Sequence, residues 1–269
     1  MKNIIASPGR SGVLALALLV LAAACGGAAE EPAASPESTP EAAVVEVGGE
    51  TGSLDASALA DATRPADEVA QDPYRKPLEL YGFFGVEPGM AVADVWPGAG
   101  YNMHLLSRFV GDEGSVHAIM GFYAEGQYAT LEGVQQRVAD AGLSNVTIVN
   151  TFADVPDNTL DFAVAVRNYH DAANFGDGRP ATVEQLHRIV KPGGVVGIVE
   201  VATDREGWDE ETHRLNEQVV IDEFTAGGFE LEARSDMLAN PNDDHSASDF
   251  DTGRHMSDRY VLKFRKAAN

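Results

Sequence analysis

From about Ala66 to Lys266, short apolar runs alternate with helix-length amphipathic segments, which restricts the chain to an α/β fold with a mostly parallel sheet and crossover helices. Met90–Val95 is the first strand, followed by the turn Gly98-Ala99-Gly100 and a helix with Leu105, Leu106 and Phe109 on one side. Strands are predicted at Ser115–Ile119, Val146–Val149 and Leu160–Val166, the last nearly continuous in apolar residues, as a central strand covered on both faces should be. Helices are predicted at Leu131–Ala141, closed by Gly142, and at Thr182–Val190, stopped by Pro192 and Gly193. A fifth strand at Val195–Val201 leads to a long helix over Glu210–Ala226, and strands at Phe229–Arg234 and Arg259–Phe264 finish the pattern.

The first third of the chain reads differently. Lys2 and Arg10 precede an apolar run from Val13 to Ala24, which ends in Ala22, Ala23 and Ala24 directly before Cys25, the three regions of a secretory signal. The run is shorter than the roughly 20 residues a membrane-spanning helix needs, so residues 1–24 are expected to be cleaved. Leu21 to Cys25 resembles the lipobox of bacterial lipoproteins, which implies lipidation of Cys25 and an exported, membrane-anchored protein held by its acyl chains alone. An ordinary cleaved signal with a cysteine near its end is the alternative. Gly26 to Thr63 holds no Lys or Arg and no apolar periodicity, so residues 25–64 are expected to form an acidic, disordered tether and 65–269 the folded domain.

Composition narrows the function. Acids outnumber bases 42 to 19 among 269 residues, a balance that repels nucleic-acid phosphates and anionic lipid headgroups and disfavours a nucleic-acid substrate. With one cysteine the chain forms no intrachain disulfide, and no Cys and His cluster has structural-zinc spacing, so no metal is expected. The polar loop between the last two strands carries Asp236, Asp243, Asp244, His245, Asp249, Asp251, His255 and Asp258, which could bind a hard cation but lack calcium-loop spacing; a solvated acidic loop is the reading we favour.

Two places can carry chemistry. Val92 to Gly100 is a strand running into a glycine turn that opens a helix, where backbone approaches a ligand without interference from a Cβ. Position 103 is Met where a dinucleotide fold has its third glycine, and no Gly-Lys-Ser/Thr follows, so neither a pyrophosphate nor a Walker-type site is indicated. Asn168, Tyr169, His170 and Asp171 end the fourth strand, and ligands of open α/β sheets sit outside the carboxyl ends of strands. His170 is suited to general-base work near neutrality, with Asp171 orienting it or competing as the base; both could equally satisfy loop backbone. His213 and Arg214 fall in the predicted long helix, where Arg214 meets a carboxylate substrate or pairs on the surface with Glu210 and Glu217, the reading we favour.

The turn, with Asp94, Gly98 and Gly100 in register, resembles motif I of class I methyltransferases, although Trp96 replaces the usual first glycine. Lys191-Pro192-Gly193-Gly194 is similar to the turn preceding strand five in that family. A group of predicted bacterial methyltransferases shares Arg75-Lys76-Pro77, Phe83-Phe84-Gly85, Pro88-Gly89-Met90, Trp96-Pro97-Gly98, His213-Arg214 and Asp258-Arg259-Tyr260. The resemblance implies a Rossmann-like seven-stranded sheet with an antiparallel last strand, S-adenosylmethionine as cofactor at Asp94, Gly98 and Gly100, and a small-molecule or peptidic methyl acceptor near His170. It places Asp154 either at the adenine amino group or as a turn cap, and Tyr74, Arg75 and Lys76 as a flap over the cofactor. Strand two runs into Met120-Gly121-Phe122 without the acid that usually holds the ribose, the nearest being Glu125. Two functional classes therefore stand: an active methyltransferase, or a tethered protein that keeps the fold as a binding or structural module.

Overall fold

The computed structural model describes residues 54–121, 130–174, 178–253 and 256–268. Cys25, Glu125 and His255 lie outside the described residues. Among the described residues the main sheet has seven strands: β1 (Ala91–Val95), β2 (Ser115–Ile119), β3 (Val146–Val149), β4 (Leu160–Val166), β5 (Val190–Val201), β8 (Phe229–Ser235) and β9 (Arg259–Lys266). Their order is β3-β2-β1-β4-β5-β9-β8, and β9 alone runs opposite to the other six. This is the α/β class and topology expected from the sequence. Strand order reverses between β1 and β4, so the ends of those two strands open a crevice where ligands of such sheets bind.

The sheet is buried on both faces. One face packs Phe84, Phe162, Tyr81 and Phe109 under α3 (Pro77–Phe84) and α4 (Tyr101–Val110). The other packs Leu186, Phe224, Phe229 and Phe264 under α6 (Arg179–Ile189) and α7 (Glu217–Ala226), while α5 (Leu131–Asp140) follows β2. Each such side chain contributes about 1.5–3 kcal/mol by leaving water.

Four expectations need correction. Residues 54–64 are not tether: Leu54 and Ala58 are buried, Ala56–Ala60 forms a 3-10 turn, and Asp61 accepts hydrogen bonds from Arg108 (2.6 Å) and faces His104 (3.0 Å) on α4. Helices α1 (Ala66–Val69) and α2 (Asp72–Arg75) continue this strap, pinned by Arg64 to Asp72 and by Glu68 to Arg137. The polar, alanine-rich sequence gains its order from these ion pairs and from burial under α4, neither of which periodicity reveals.

The helix expected over Glu210–Ala226 begins only at Glu217, capped by the Asn216 side chain, which accepts from the Gln218 N–H at 2.9 Å. Ahead of it, β6 (Trp208–Asp209) and β7 (Arg214–Leu215) pair in a small antiparallel ribbon closed by Asp209, which accepts from the Thr212 N–H. Arg214 is thus not a surface partner of Glu210 and Glu217 but fully buried, donating to the carbonyls of Ala202 and Ala247 and paired with Asp243. Lys191 to Gly194 are a bulge inside β5, because Leu160 pairs with Val190 and Phe162 with Val195.

Candidate active site

A cleft of about 400 Å³ opens at the carboxyl ends of β1 and β4, a size suited to a cofactor or small ligand. Its floor is the turn after β1. Gly98 (φ 55°) and Gly100 (φ 96°) take left-handed backbone, and a Cβ on Gly98 would meet no protein atom within 4 Å. Trp96 takes the same conformation (φ 54°) without glycine's freedom, at a cost of about 1–2 kcal/mol. The Trp96 N–H donates to the Ile119 carbonyl at 2.8 Å, and Asn168 Nδ2 donates to the carbonyls of Val95 (2.9 Å) and Trp96 (3.0 Å). Asn168 therefore ties the end of β4 to the turn after β1.

The Trp96 indole lies across the end of β2. A Cβ on Gly121 would fall 2.3 Å from its Nε1, so only glycine admits the ring there, and Phe152 meets it edge-on at 6.1 Å. The end of β2 is thus bounded by an indole.

Beneath the turn, Asp94 is buried, and neither of its carboxylate oxygens has a hydrogen-bond partner. Burial pushes its pKa up to about 7; the Met103 N–H, outside hydrogen-bond geometry, and the charges of Arg75 and Arg137 pull the other way. The neighbouring Tyr81 hydroxyl is also buried without a partner. An orphaned buried carboxylate of this kind is costly unless a ligand completes it. The strap closes one side of the cleft: Asp67, Glu68, Gln71 and Arg75 line it, and the Arg75 guanidinium lies 4.3 Å over the Tyr101 ring. Of the three residues expected as a flap, Arg75 reaches the cleft. Tyr74 offers its carbonyl to Arg259, and Lys76 donates to the Met237 carbonyl.

The opposite wall is assembled from distant segments. His170, in a 3-10 turn after β4, is fully enclosed, with Nδ1 2.7 Å from Glu200 Oε2 at the end of β5 and Nε2 2.7 Å from His213 Nε2. Trp208 stacks on His170 at 4.8 Å and 11°. Burial disfavours the His170 cation, but the Glu200 carboxylate outweighs it and raises the pKa. Burial likewise opposes ionisation of Glu200, and His170 overcomes this and lowers its pKa. His213 is pushed down, first by burial and then by the His170 charge.

His213 and Asp171 line the cleft, whereas His170 stands behind them. The acids of the long loop are mostly internal counter-ions: Asp249 pairs with Arg167 and accepts from Ser257, Asp243 pairs with Arg214, and Asp258 accepts from the Asn240 N–H. Asp249 and Phe250 reach the cleft, so the solvated reading of the loop holds only for residues such as Asp236, Asp244 and Asp251. Trp96, Arg167 and His213 are three non-glycine residues at positive φ, and all line this one cleft, as strained backbone at functional sites does.

Sequence reasoning brought Gly98 and Asp171 to the cleft and Asp94 and Gly100 to its base. It missed Glu200, Trp208 and Asp249. A lone acid in the apolar run Val195–Val201 was the available signal for Glu200, since a buried carboxylate needs a partner. Asp154 is elsewhere: its carboxylate accepts from the Thr151 N–H at 2.9 Å and caps a 3-10 turn. It is exposed and does not line the cleft.

No protein-family model matches the chain. A sterol 24-C-methyltransferase of Yarrowia lipolytica is 26% identical over 175 residues, 58% of this chain, and the match spans 43% of that relative's length. An S-adenosylmethionine-dependent methyltransferase structure from Aquifex aeolicus superposes with a TM-score of 0.55 at 21% identity, covering 79% of this chain and 98% of that one. The [4+2]-cyclase SpnF gives 0.55 at 17% identity, covering 74% and 82%. The domain has the Rossmann-like class I methyltransferase fold.

Proposed function

We propose that the domain is an S-adenosylmethionine-dependent methyltransferase whose acceptor is a small or peptidic nucleophile. The carrying observation is the unpartnered, buried Asp94 carboxylate beneath the Gly98–Gly100 turn, at the base of a cleft sized for the cofactor. A ligand ammonium group is the natural partner for it, and the cofactor's methionine end carries one. Gly98 and Gly100 would hold that end by backbone, with Trp96 against the nucleoside side. The cofactor supplies an electrophilic methyl group; the chain's own residues bind, orient and exclude water.

The acceptor then lies against Asp171 and His213, with His170 fixing His213 from behind. This keeps Asp171 at the acceptor and moves the imidazole that meets it from His170 to His213. The acidic balance still favours an acceptor other than nucleic acid. The sterol methyltransferase relative supports the reaction class and does not name the acceptor.

Titration calorimetry of the full chain with S-adenosylmethionine and S-adenosylhomocysteine tests the reading. A chain cut at Ala66 would lose Asp61 and Arg64, which the fold uses. Micromolar binding abolished by Asp94→Asn is expected; no heat and no thermal shift at millimolar ligand would overturn it.

A second reading follows from the end of β2, where Gly121 and the Trp96 indole stand in place of a ribose acid, and from the similarity to a cyclase. In it the domain keeps the fold for binding or for other chemistry; cofactor binding without methyl transfer to any acceptor would favour it.

For the N-terminal segment we propose cleavage after residue 24 and lipidation of Cys25, giving an exported, membrane-anchored domain. Among the described residues no helix is long and apolar enough to cross a membrane. Incorporation of a labelled fatty acid, lost in Cys25→Ser, checks this.

A further inference from the structure

The wall of the cleft built on β4 and β5 brings three ligand-type atoms to one point. His170 Nε2 and His213 Nε2 are 2.7 Å apart, and Asp171 Oδ1 lies 3.5 Å from the first and 3.7 Å from the second. A tetrahedral zinc-class ion with bonds of about 2.0–2.2 Å keeps its ligands roughly 3.3–3.6 Å apart; both Asp171 separations lie close to that range, and the two imidazoles, at hydrogen-bond distance, would part by roughly 0.6 Å to admit the ion. All three atoms belong to one group whose members lie within 4.8 Å of one another.

The surroundings fit an ion as well as the atoms do. Histidines that bind metals usually hand their other ring nitrogen to a carboxylate, which fixes the ring. Here Glu200, fully buried, meets His170 Nδ1 at 2.7 Å. Trp208 stacks on His170, and Phe250 packs against His213 at 4.6 Å, so apolar rings hem in both imidazoles. Backbone strain at His213 (φ 57°) persists only where the fold over-determines the position, and it aims this ring at His170. Two carboxylates, Glu200 and Asp171, flank the imidazole pair, and a cation would take the place of the proton shared between the facing His170 and His213 nitrogens. Two nitrogens and one oxygen suit zinc, iron(II) or cobalt(II), whereas calcium and magnesium take oxygen sets.

We propose that His170, Asp171 and His213 bind one divalent cation of the zinc class, with an open coordination position facing the cleft. The open side follows from exposure: Asp171 and His213 line the cleft and His170 closes the back. Where the methyl-transfer reading also holds, that position takes the acceptor's oxygen or sulfur, and the cation favours its deprotonated form. The binding site itself does not depend on that reading.

The test uses the full chain, stripped with chelator and free of cofactor, so that failure here is separate from failure of cofactor binding. Zinc is titrated with elemental analysis and thermal unfolding as readouts, on the native chain and on His213→Gln and Asp171→Asn, with folding checked by circular dichroism. One zinc per chain is expected, with affinity lowered at least about 10-fold to 100-fold in each variant. His245→Ala, in the separate cluster with Asp204 and Asp258, should bind as the native chain does. Cobalt(II) gives a readout independent of any variant: visible d–d bands of a nitrogen and oxygen site are expected. No zinc uptake by the native chain would overturn the proposal and leave the His170–His213 contact a hydrogen bond. Undiminished uptake in His213→Gln, or a thiolate-to-cobalt charge-transfer band from Cys25, would overturn it by placing the ion elsewhere.

Discussion

The two walls of the cleft are built in different ways. One is a contiguous stretch, Asp94 to Asn102, in which a strand, a turn and a helix start follow each other and the strap of residues 54–75 backs them. The other gathers Arg167 to Asp171, Glu200, Trp208, His213 and Asp249 from four separate segments. The first wall depends on backbone conformation and one unpartnered carboxylate; the second depends on side chains that satisfy one another. A contiguous wall tolerates loss of a single contact because local geometry survives, while an assembled wall loses several elements at once.

The largest effect is expected on the assembled wall. Glu200→Ala leaves His170 and its neighbours without their buried counter-charge and should lower unfolding free energy by about 3 kcal/mol or more. Denaturant unfolding measures it; a loss under 1 kcal/mol would mean the assembled wall is no more interdependent than the other.

On the contiguous wall the sign should reverse. Asp94 has a folded pKa of about 7 against 3.8 for the free group, so the folded state binds its proton more tightly. The native chain therefore loses stability as pH rises from about 4 to about 7 and holds that deficit above it. Asp94→Asn removes the deficit and should gain up to roughly 4 kcal/mol at pH 8, while destroying cofactor binding. By the same linkage, cofactor affinity of the native chain should weaken as pH falls below about 7, because the carboxyl must then lose a proton to meet an ammonium group. A variant equally stable at pH 5 and no more stable at pH 8 than the native chain would remove the buried-charge account.

Smaller effects probe the seam between the walls. Gly121→Ala sets a Cβ 2.3 Å from the Trp96 indole at a residue with φ 53° and should cost about 1–3 kcal/mol, with a shift in tryptophan fluorescence. Asp154→Ala should cost about 1 kcal/mol as a lost cap and leave cofactor affinity unchanged. A ten-fold weaker Kd would instead return Asp154 to the adenine.

This difference also explains what could be read from sequence. The α/β class, the strand positions and the turn at Gly98 and Gly100 were legible because they are local: period, glycine placement and an acid at a strand end all lie within one stretch. Glu200 meeting His170, Arg214 buried under the loop, and Asp249 holding Arg167 were not, since each pairs residues more than ten positions apart. The strap misled for the same reason. Asp61 and Glu68 look like solvated charges until α4 and Arg137 supply their partners. Arg214 beside His213 reads as a helix face because the cap that starts the helix, Asn216, lies inside a segment of otherwise helical pattern.

The strap has a mechanical consequence. Tension on the chain ahead of Leu54 enters the domain at the 3-10 turn and at Asp61, then passes along ion pairs to α4 and Arg137, whose guanidinium also holds the Ala99 carbonyl. The ion pairs thus carry load to the floor of the cleft, while Leu54 and Ala58 carry it to the core. Pulling from that end would strain both together, so tension on the N-terminal segment and the shape of the cleft are mechanically linked.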